Sequence, residues 1–481
     1  MGYTSIIGLE VHAQLQTKSK IFCGCSTRYG MPPNTRTCPV CLGLPGALPV
    51  LNEKAVELAV KTALALNCRI NDQSIFARKN YFYPDLPKGY QISQYDRPLA
   101  EDGHVEIELD GRVRKVRIKR VHLEEDAGKS IHDGMHDSDR RTYIDFNRSG
   151  IPLVEIVTEP DVRSPGEAYA YLMRLKSILL YTGVCNCNME EGSLRCDVNV
   201  SVMPEDADRF GTKVEIKNLN SYRNVQRALE YEIERQMKVL EGGTPVEHET
   251  RLYNAASGET EQMRTKEEAH DYRYFPEPDL LPLIIDAQWI DSIRADIHEL
   301  PARKKKRFME EYGLPEYDAD ILVQESSLAE YFETAARASG NPKASSNWIM
   351  GDILRELKND RMNIRECPLS PEKLAEMIKM IDSGEISGKM AKDVFEEMYR
   401  SGRYPLDIVK AKGLVQINDR TEIERFVEEV LSENPGPLSR YRSGKTTTFG
   451  FFVGQVMKKT GGNANPALVN EILRKKLDQE K

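Results

Sequence analysis

Alternating apolar and polar residues predict β-strands with one packed face and one polar face. In "IIGLEVHAQLQ" the apolar positions are Ile7, Leu9, Val11 and Leu15. The intervening polar positions are Glu10, His12, Gln14 and Gln16. "SLRCDVNVSV" repeats this alternation, and its polar side carries Arg195, Asp197, Asn199 and Ser201. "KVEIKN" puts Glu215 and Lys217 on one side, and "TYIDFNRSG" similarly aligns Tyr143, Asp145 and Asn147. Successive strand side chains point to opposite faces, so these segments are typical of an antiparallel sheet.

Helical periodicity predicts three helices among these strands. The first covers "EKAVELAVKTALAL". The second opens with "SPGE", where Ser164 can cap the helix and Glu167 can complete a capping box after Pro165 in the first turn. This helix is expected to close at Gly183. The third runs through "NVQRALEYEIERQMKVL" to the Gly-Gly pair that follows.

The strand pattern vanishes between about Trp289 and Arg403. Helical segments such as "SSNWIMGDILREL" alternate there with Gly, Asn and Pro breaks. The remainder, from near Tyr404, is predicted to hold three further helices, the last opened by "NANP". We therefore expect an α+β protein of three domains, covering residues 1–292, 293–405 and 406–481.

Composition narrows the class of protein. The chain has 481 residues, 40% of them apolar, and a formal net charge of −8, which argues against a surface coated in basic residues. From Asn434 onward, however, nine Lys/Arg stand against three Asp/Glu, so a phosphate-bearing partner could contact this segment. No run approaches the length of a membrane span, and "MGYTSIIGLEVH" lacks the form of a signal peptide. We expect a cytoplasmic protein.

Four of the nine cysteines are clustered in "FCGCSTRYGMPPNTRTCPVC". They are Cys23, Cys25, Cys38 and Cys41. In a reducing compartment, a C-x-C followed by a C-x-x-C indicates a metal site rather than disulfides. Four thiolates leave no open coordination position, so a zinc ion here would be structural. A loop of free thiols is the alternative, and Cys185 and Cys187 in "VCNCNMEEG" stay unassigned.

The acidic triplet in "HLEEDAGK" is either a solvated charge run or a source of metal ligands. The polar strand faces favour the second interpretation, because they carry the His, Asn, Asp, Glu and Arg that bind Mg²⁺ and phosphate oxygens. Alternation places Glu125 with Val121 and Leu123, and Glu124 with His122 and Asp126. Glu125 is the favoured ligand on this basis, although a β-bulge would reverse the choice.

Eight motifs in order resemble one family, the B subunit of the bacterial tRNA-dependent amidotransferase, which acts on aspartyl- and glutamyl-tRNA. They are "IGLEVHAQLQTKSKIFCGCS", "TCPVCLGLPGALPVLN", "NYFYPDLPKGYQISQYD", "HLEEDAGK", "DFNRSGIPLVEIVTEPD", "NMEEGSLRCDVNVSV", "EIKNLNSYRNVQRALEYEIERQ" and "KEEAHDYRYFPEPDL". The resemblance covers essentially the whole chain. It implies a cradle domain with a largely antiparallel sheet and a glutamine synthetase-like kinase site, followed by a helical domain and a helical tail.

The resemblance also implies a reaction and its partners. Such a protein uses ATP to phosphorylate the side-chain carboxylate of Glu-tRNA(Gln) or Asp-tRNA(Asn). Ammonia that a partner amidase subunit releases from glutamine then displaces the phosphate, and a small third subunit holds the pair together. This chain has no amidase Ser-Ser-Lys pattern and no "GxxxxGK[ST]" loop, which is consistent with an external ammonia source and a nucleotide site without a P-loop.

Site residues follow from the same resemblance. The family's magnesium motifs match Glu10, His12 and Glu125, with Glu190 and Asp197 as further candidates. Contacts to ATP or to the transferred phosphoryl group are expected from Arg148, Arg195, Asn199 and Lys217. The ammonia route is expected to enter at Lys79 and Lys88. The tail would bind tRNA through Arg440, Arg442, Lys445, Lys458 and Lys459, within a basic set that also includes Arg474, Lys475 and Lys476.

Two other classes of protein remain open at this point. A free amino-acid ligase of the glutamine synthetase type would need no tRNA, and a basic tail would serve no purpose in it. A zinc-containing RNA-binding scaffold would account for the cysteines and the tail, but not for strand faces rich in Mg²⁺ ligands.

Overall fold

The chain divides into two compact units, Met1–Pro301 and Ala302–Lys481. The computed structural model describes residues 2–131, 137, 140–265, 272–414, 417–443 and 446–478. The first unit combines a large sheet with helices, and the second is built from helices, so the α+β expectation is confirmed. The three-domain division with boundaries after residues 292 and 405 stays a prediction. Within the described ranges, no helix is long and apolar enough to cross a lipid bilayer.

Sixteen strands are formed within the described residues. They are β1 (Tyr3–Gln14), β2 (Arg69–Ile70), β3 (Gln73–Ser74), β4 (Phe76–Asn80), β5 (Tyr90–Gln94), β6 (Ala100–Leu109), β7 (Arg112–Glu125), β8 (Lys129–Ile131), β9 (Tyr143–Asp145), β10 (Pro152–Thr158), β11 (Leu194–Pro204), β12 (Val214–Lys217), β13 (Glu249–Asn254), β14 (Glu259–Thr265), β15 (Phe275–Pro276) and β16 (Leu283–Ile284). All belong to the first unit.

Nine of these strands form one sheet in the order β14-β13-β12-β11-β1-β10-β7-β6-β2. Its neighbouring strands are antiparallel except for the parallel pair β12 and β13. Three smaller sheets pair β15-β4-β5, β16-β3 and β8-β9. The segment "TYIDFNRSG" contributes only the three residues of β9, so Asn147 lies in the turn that follows and not on a strand face as predicted.

One face of the large sheet is packed and the other carries polar groups, as the alternation predicts. The predicted apolar positions of β1, including Leu9 and Val11, are buried in one hydrophobic core with Val198 and Val200 of β11. Helices α1 (Glu53–Ala65), α2 (Pro165–Tyr181) and α3 (Tyr222–Glu241) contact the sheet, and α4 (Ala287–Ala295) contacts α1. The three helices predicted in this region are confirmed.

The start of α2 differs from the predicted capping box in one hydrogen bond. The Ser164 hydroxyl accepts from the backbone N–H of Glu167 at 3.2 Å, as expected of an N-cap. The Glu167 carboxylate, however, accepts from the backbone N–H of Arg163 at 2.8 Å, one residue before the cap. The helix ends before Gly183, whose φ of +65° is the left-handed conformation that glycine adopts readily.

Twelve α-helices account for most of the second unit within its described residues. They are α5 (Pro301–Tyr312), α6 (Glu316–Leu322), α7 (Ser326–Ser339), α8 (Pro342–Trp348), α9 (Leu354–Asp360), α10 (Pro371–Asp382), α11 (Gly388–Ser401), α12 (Pro405–Lys412), α13 (Arg420–Glu433), α14 (Pro435–Arg442), α15 (Phe449–Lys459) and α16 (Pro466–Asp478). A π-helical turn, Ile349–Ile353, joins α8 to α9.

Five α-helices follow Tyr404 in this part of the described chain, so the prediction of three was wrong. The helices α12 and α14 have eight residues each, which is too short for a 3.6-residue period to emerge from the sequence. Helix α12 contacts α10 and α11. Helices α13 to α16 bury a separate apolar cluster that includes Val427, Phe452 and Leu473.

A buried ion network ties α3 to the edge of the large sheet. The fully buried Glu232 carboxylate accepts hydrogen bonds from the side chains of Arg235 (2.7 and 2.9 Å), Gln236 (2.9 Å) and Thr260 (2.8 Å). The Nε atom of Arg251 lies 3.5 Å from the same carboxylate. Removing Glu232 would therefore take away the carboxylate at the centre of the network and leave Arg235 and Arg251 paired, among the described residues, with only Glu249, at 3.4 and 2.7 Å.

We predict that Glu232→Ala lowers the free energy of unfolding by roughly 3 kcal/mol, because removing one member of a buried, hydrogen-bonded ion network is strongly destabilising. Urea denaturation of the purified protein measures the change. Glu234→Ala on the same helix removes the exposed pair with Lys238 (2.7 Å) and should change stability far less, because solvent screens a surface ion pair. Equal losses in the two variants would contradict the structural role given to Glu232.

Candidate active site

A histidine surrounded by carboxylates occupies the polar face of the large sheet. The Nε2 atom of His12 lies 3.3 Å from Glu155, 3.5 Å from Glu124 and 3.7 Å from Glu10. A second imidazole, that of His122, lies 3.1 Å from Glu155 and 3.6 Å from Glu124. We call these five residues the carboxylate–histidine cluster.

Strand register explains why these side chains meet. His12 on β1 is directly opposite Glu155 on β10, and Glu155 is directly opposite His122 on β7. On the other side of β1, His12 is opposite Arg195 of β11. Directly opposite residues share a face and have Cβ atoms about 5 Å apart, so four adjacent strands bring four functional side chains into one row.

The cluster holds more negative charge than its histidines can neutralise. Repulsion by Glu155, together with burial, raises the pKa of Glu10 to about 7. Burial alone would lower the pKa of His12, but its hydrogen bond to Glu155 and the charges of Glu155, Glu124 and Glu10 raise it to about 9. Burial likewise opposes ionisation of Glu155, yet the charges and hydrogen bonds of the two histidines hold its pKa well below its usual range.

This excess of negative charge suits a divalent cation. One ligand atom each from Glu10, His12 and Glu155 can be chosen so that all lie within 4.8 Å of one another, and the same holds for His122, Glu124 and Glu155. Mg²⁺ is bound in proteins through one or two carboxylates together with substrate phosphates. The donor set therefore fits the ion predicted from the sequence, with Glu155 as a member that the sequence analysis missed.

Glu125 lies apart from this cluster. Its carboxylate pairs with the buried ammonium of Lys88 and accepts a hydrogen bond from the backbone N–H of Ile92 at 2.9 Å. Alternation along β7 therefore sends Glu124, not Glu125, to His12 and His122. The sequence-based choice of Glu125 as the metal ligand stays a prediction, while the geometry groups Glu124, not Glu125, with His122 and Glu155.

The third acid of the triplet, Asp126, organises a neighbouring group of cations. It accepts hydrogen bonds from Arg195 and Gln14, each at 2.9 Å, and lies 3.6 Å from Nε of Arg148. Burial would raise the pKa of Asp126, but the charges of the two arginines lower it. Further along the same face, the ammonium of Lys217 pairs with Asp197. The predicted phosphate-binding residues Arg148 and Arg195 are thus held side by side.

Two cavities open beside Glu10 and Asp197, which are directly opposite each other on β1 and β11. The larger, about 550 Å³, has a charged lining that includes Arg28, Lys129, Arg148, Glu190, Arg195 and Asp197. The smaller, about 270 Å³, is lined by Gly8, Glu10, Asn199, Ser201, Phe210 and Lys213, among others. The predicted residues Glu190 and Asp197 therefore line the larger cavity, whereas Asn199 lines the smaller.

The two predicted ammonia-route lysines reach the site from β4 and the loop before β5. Burial would lower the pKa of Lys79, but the charges of Tyr274, Glu124 and Glu155 raise it, which places this ammonium in the field of the cluster. The Lys79 ammonium also lies 4.8 Å from the ring centroid of Tyr272. Lys88 and Glu125 both line a third cavity of about 210 Å³.

Comparison with known proteins identifies the family. The family model described as the GatB/GatE catalytic domain matches residues 5–291, and the model described as the GatB domain matches residues 330–477. The chain belongs to the GatB family. Similar proteins, each named as the B subunit of aspartyl/glutamyl-tRNA(Asn/Gln) amidotransferase, come from Thermodesulfovibrio yellowstonii (57% identical over 479 residues), Geotalea uraniireducens (55% over 478) and Carboxydothermus hydrogenoformans (55% over 475). Each alignment covers 99% or 100% of both chains, so the resemblance inferred from the motifs is confirmed.

The four clustered cysteines of this GatB chain are arranged for a tetrahedral metal. Their sulfur atoms all lie within 4.8 Å of one another. A zinc ion with Zn–S bonds of about 2.3 Å separates its four sulfurs by about 3.8 Å, so the loop fits the ion. The buried Lys20 ammonium donates to Cys41 Sγ at 3.5 Å. Cys185 and Cys187 are buried elsewhere, in the hydrophobic core of the catalytic domain.

The basic residues of the GatB tail are not equally available to a partner. Arg440 and Arg442 lie in the last turn of α14, and Lys458 and Lys459 in the last turn of α15. Lys459 already pairs with Glu429 (3.0 Å) and Glu433 (2.6 Å) of α13. Lys476 pairs similarly with Glu424 (3.0 Å) and Glu428 (2.5 Å). Lys445, also predicted to bind tRNA, lies outside the described residues.

We predict one zinc ion per chain, bound by Cys23, Cys25, Cys38 and Cys41. Elemental analysis of protein purified without chelators measures it. Cys25→Ser should lower both the zinc content and the melting temperature, because a structural zinc site contributes to folding free energy. Cys187→Ser is the matched control and should leave the zinc content unchanged. Wild-type protein without zinc would contradict the assignment.

Proposed function

We propose that this chain is the component of a tRNA-dependent amidotransferase that converts Glu-tRNA(Gln), Asp-tRNA(Asn) or both into the amide form. It acts in the cytoplasm as a ligase that uses ATP and takes its nitrogen from glutamine through a partner protein. The observation that carries the proposal is the carboxylate–histidine cluster on a polar sheet face beside two cavities. Glu10 of the cluster lines the smaller cavity, and Asp197 and Arg195, which are opposite Glu10 and His12 on the neighbouring strand, line the larger.

The chemistry requires activation of an unreactive acid. A carboxylate resists attack by ammonia because the leaving group would be an oxide, whereas phosphorylation supplies a good leaving group. Glu10, His12, Glu124 and Glu155 would hold Mg²⁺, which when bound neutralises charge on the phosphates. Lys217, near Asp197, and the paired Arg148 and Arg195 supply fixed positive charge for the anionic groups that meet there.

The two cavities differ in a way that suits the two substrates. The smaller one has Ile6, Gly8, Leu9 and the aromatic Phe210 among its lining residues, which suits a flat nucleobase. The larger one carries Arg148 and Arg195, which suit the acceptor carboxylate and the transferred phosphoryl group. We therefore assign the nucleotide base to the smaller cavity and the aminoacyl end of the tRNA to the larger.

Ammonia would reach the site past Lys88 and Glu125. Both side chains are buried, form an ion pair and line the 210 Å³ cavity, so the Glu125 carboxylate can accept a hydrogen bond from an incoming ammonia molecule or ammonium ion. The chain has no glutaminase signature of its own. A partner amidase must then supply the ammonia, and a third, small subunit completes the heterotrimer.

The two rival classes are less well supported. A free amino-acid ligase leaves the second family domain, residues 330–477, without a purpose. A zinc-containing RNA scaffold leaves the buried carboxylates of Glu124 and Glu155 unexplained, because burying ionised groups away from water is costly without a functional or structural return.

We predict that replacing Glu124 and replacing Glu125 block different steps of the reaction. In the assembled amidotransferase, Glu124→Gln should abolish ATP hydrolysis stimulated by misacylated tRNA, because loss of a metal ligand costs several kcal/mol of transition-state stabilisation. Glu125→Gln should retain that hydrolysis but lose amide formation, because it changes the partner of Lys88. Both variants should still support glutamine cleavage by the partner amidase.

Phosphate release and amidated tRNA, measured in parallel, separate the two cases. Glu125 would be the metal ligand instead if Glu125→Gln lost tRNA-stimulated ATP hydrolysis and Glu124→Gln kept it. Normal rates in both variants would refute the proposed active site.

We predict that the tail can be removed without losing the chemistry. Because α12 packs against α10 and α11, the chain should be cut after α12, with residues from 419 onward deleted. The apparent KM for misacylated tRNA should rise strongly, while glutamine cleavage by the partner persists. The salt dependence of tRNA binding should weaken by about one unit of slope for each phosphate that the tail no longer neutralises. Unchanged affinity and an unchanged salt slope would show that the tail does not bind tRNA.

A further inference from the structure

We propose that Asn34 is a positioning residue through which the four-cysteine loop holds Arg148 in the larger cavity. The inference rests on the proposed function, in which Arg148 contacts the phosphoryl group or the acceptor carboxylate. It extends the role of the cysteine loop beyond stability.

Asn34 binds the segment before Arg148 through three hydrogen bonds. Its side-chain amide donates to the carbonyl of Ile144 at 3.0 Å, and its side-chain oxygen accepts from the backbone N–H of Phe146 at 2.8 Å. Its own backbone N–H donates to the Asp145 carboxylate at 2.9 Å. The side chain thus pairs with a backbone donor and a backbone acceptor, as a neighbouring strand would.

The backbone of Asn34 accounts for the choice of residue. Its φ of +59° lies in the left-handed region, which asparagine tolerates better than other non-glycine residues. Asparagine also offers both an amide donor and a carbonyl acceptor. Glycine could adopt the same backbone but would lose both side-chain hydrogen bonds.

Further hydrogen bonds join the cysteine loop to the residues just before Arg148. Asn147 accepts from the backbone N–H of Arg36 (2.7 Å) and donates to the carbonyl of Pro32 (2.7 Å). The Lys20 ammonium, which donates to Cys41 Sγ, also donates to the carbonyls of Arg36 (2.7 Å) and Phe146 (3.3 Å). The cysteine cluster and residues 144–147 are therefore joined by a continuous set of hydrogen bonds.

Arg148 follows this segment directly, so the segment sets the position of its backbone. Its guanidinium donates to the carbonyls of Ala127 (3.1 Å) and Gly128 (2.6 Å). Residues 27–31 of the cysteine loop line the same cavity as Arg148. With Cys23, Cys25, Cys38 and Cys41 closing the base of the loop around zinc, Asn34 would be fixed where it can set the position of Arg148.

The test uses Asn34→Gly in the assembled amidotransferase. This variant keeps the left-handed backbone and removes the two side-chain hydrogen bonds. We expect normal zinc content, normal glutamine cleavage and faster hydrogen exchange at the Phe146 amide. The kcat/KM for tRNA-stimulated ATP hydrolysis should fall roughly ten- to a hundredfold, because small displacements of a positioning group have effects of this size. Asn34→Asp, which keeps the acceptor for Phe146, should lose less.

Thr35→Ala is the matched control, because its hydroxyl donates only within the loop, to the carbonyl of Pro32 at 2.7 Å. This variant should behave like the wild type. Arg148→Ala supplies the second reference: if Asn34 acts through Arg148, adding Asn34→Gly to Arg148→Ala should reduce kcat/KM little further.

Each other outcome overturns the inference. Wild-type kinetics in Asn34→Gly alongside impaired Arg148→Ala would refute the positioning role and leave the proposed function standing. Additive losses in the double variant, or loss of zinc in Asn34→Gly, would mean that Asn34 acts on general structure. Wild-type kinetics in Arg148→Ala would refute both the inference and the role given to Arg148 in the proposed function.

Discussion

The backbone register between β1 and its two neighbours is the constraint on which the site depends. His12 faces Glu155 on one side and Arg195 on the other because the three strands pair in this register and no other. A slip of one residue would turn the polar face of β1 into the core and bring Leu9 and Val11 to the surface. The buried apolar face thus fixes the position of the carboxylate–histidine cluster at the same time as it stabilises the fold.

This arrangement concentrates negative charge on one face of the sheet. Glu124 and Glu155 are both buried beside His12 and His122. Glu10 lies close enough to Glu155 for the pKa of Glu10 to rise to about 7. Such a concentration of acids is destabilising unless a cation or a proton compensates it. Lys88 and Lys217 pair with Glu125 and Asp197 outside the cluster, whereas Lys79 and Arg120 offset part of its negative charge. The proposed divalent ion, brought in with a phosphate-bearing substrate, would compensate the remaining charge.

Periodicity in the sequence was sufficient to identify the faces of β1 and β11, because both strands alternate over their whole length. On β7 it also placed Glu124 with His122, but it could not decide between Glu124 and Glu125 as the ligand, because both carboxylates are buried. Glu155 was missed because it sits in the apolar run "PLVEIVT", although its alternation with Val154 and Ile156 was a usable signal.

Other parts of the site carried no local signal at all. Asp126 follows the end of β7 and acquires its role from Arg148 and Arg195, which are distant in sequence. Asn34 lies in an irregular loop, and its hydrogen bonds reach residues more than a hundred positions away. Contacts of this kind depend on the tertiary fold, whereas helix caps such as Ser164 depend on adjacent residues and were found from the sequence.

The central claim is that the carboxylate–histidine cluster binds the divalent cation of the reaction. Anomalous diffraction from crystals of the amidotransferase soaked in Mn²⁺ tests it directly, because Mn²⁺ takes the same oxygen and imidazole ligands as Mg²⁺ and can be located by its scattering. The account predicts a peak within bonding distance of His12 and at least two of Glu10, Glu124 and Glu155. A peak at Glu125 or Glu190, with none beside His12, would contradict it.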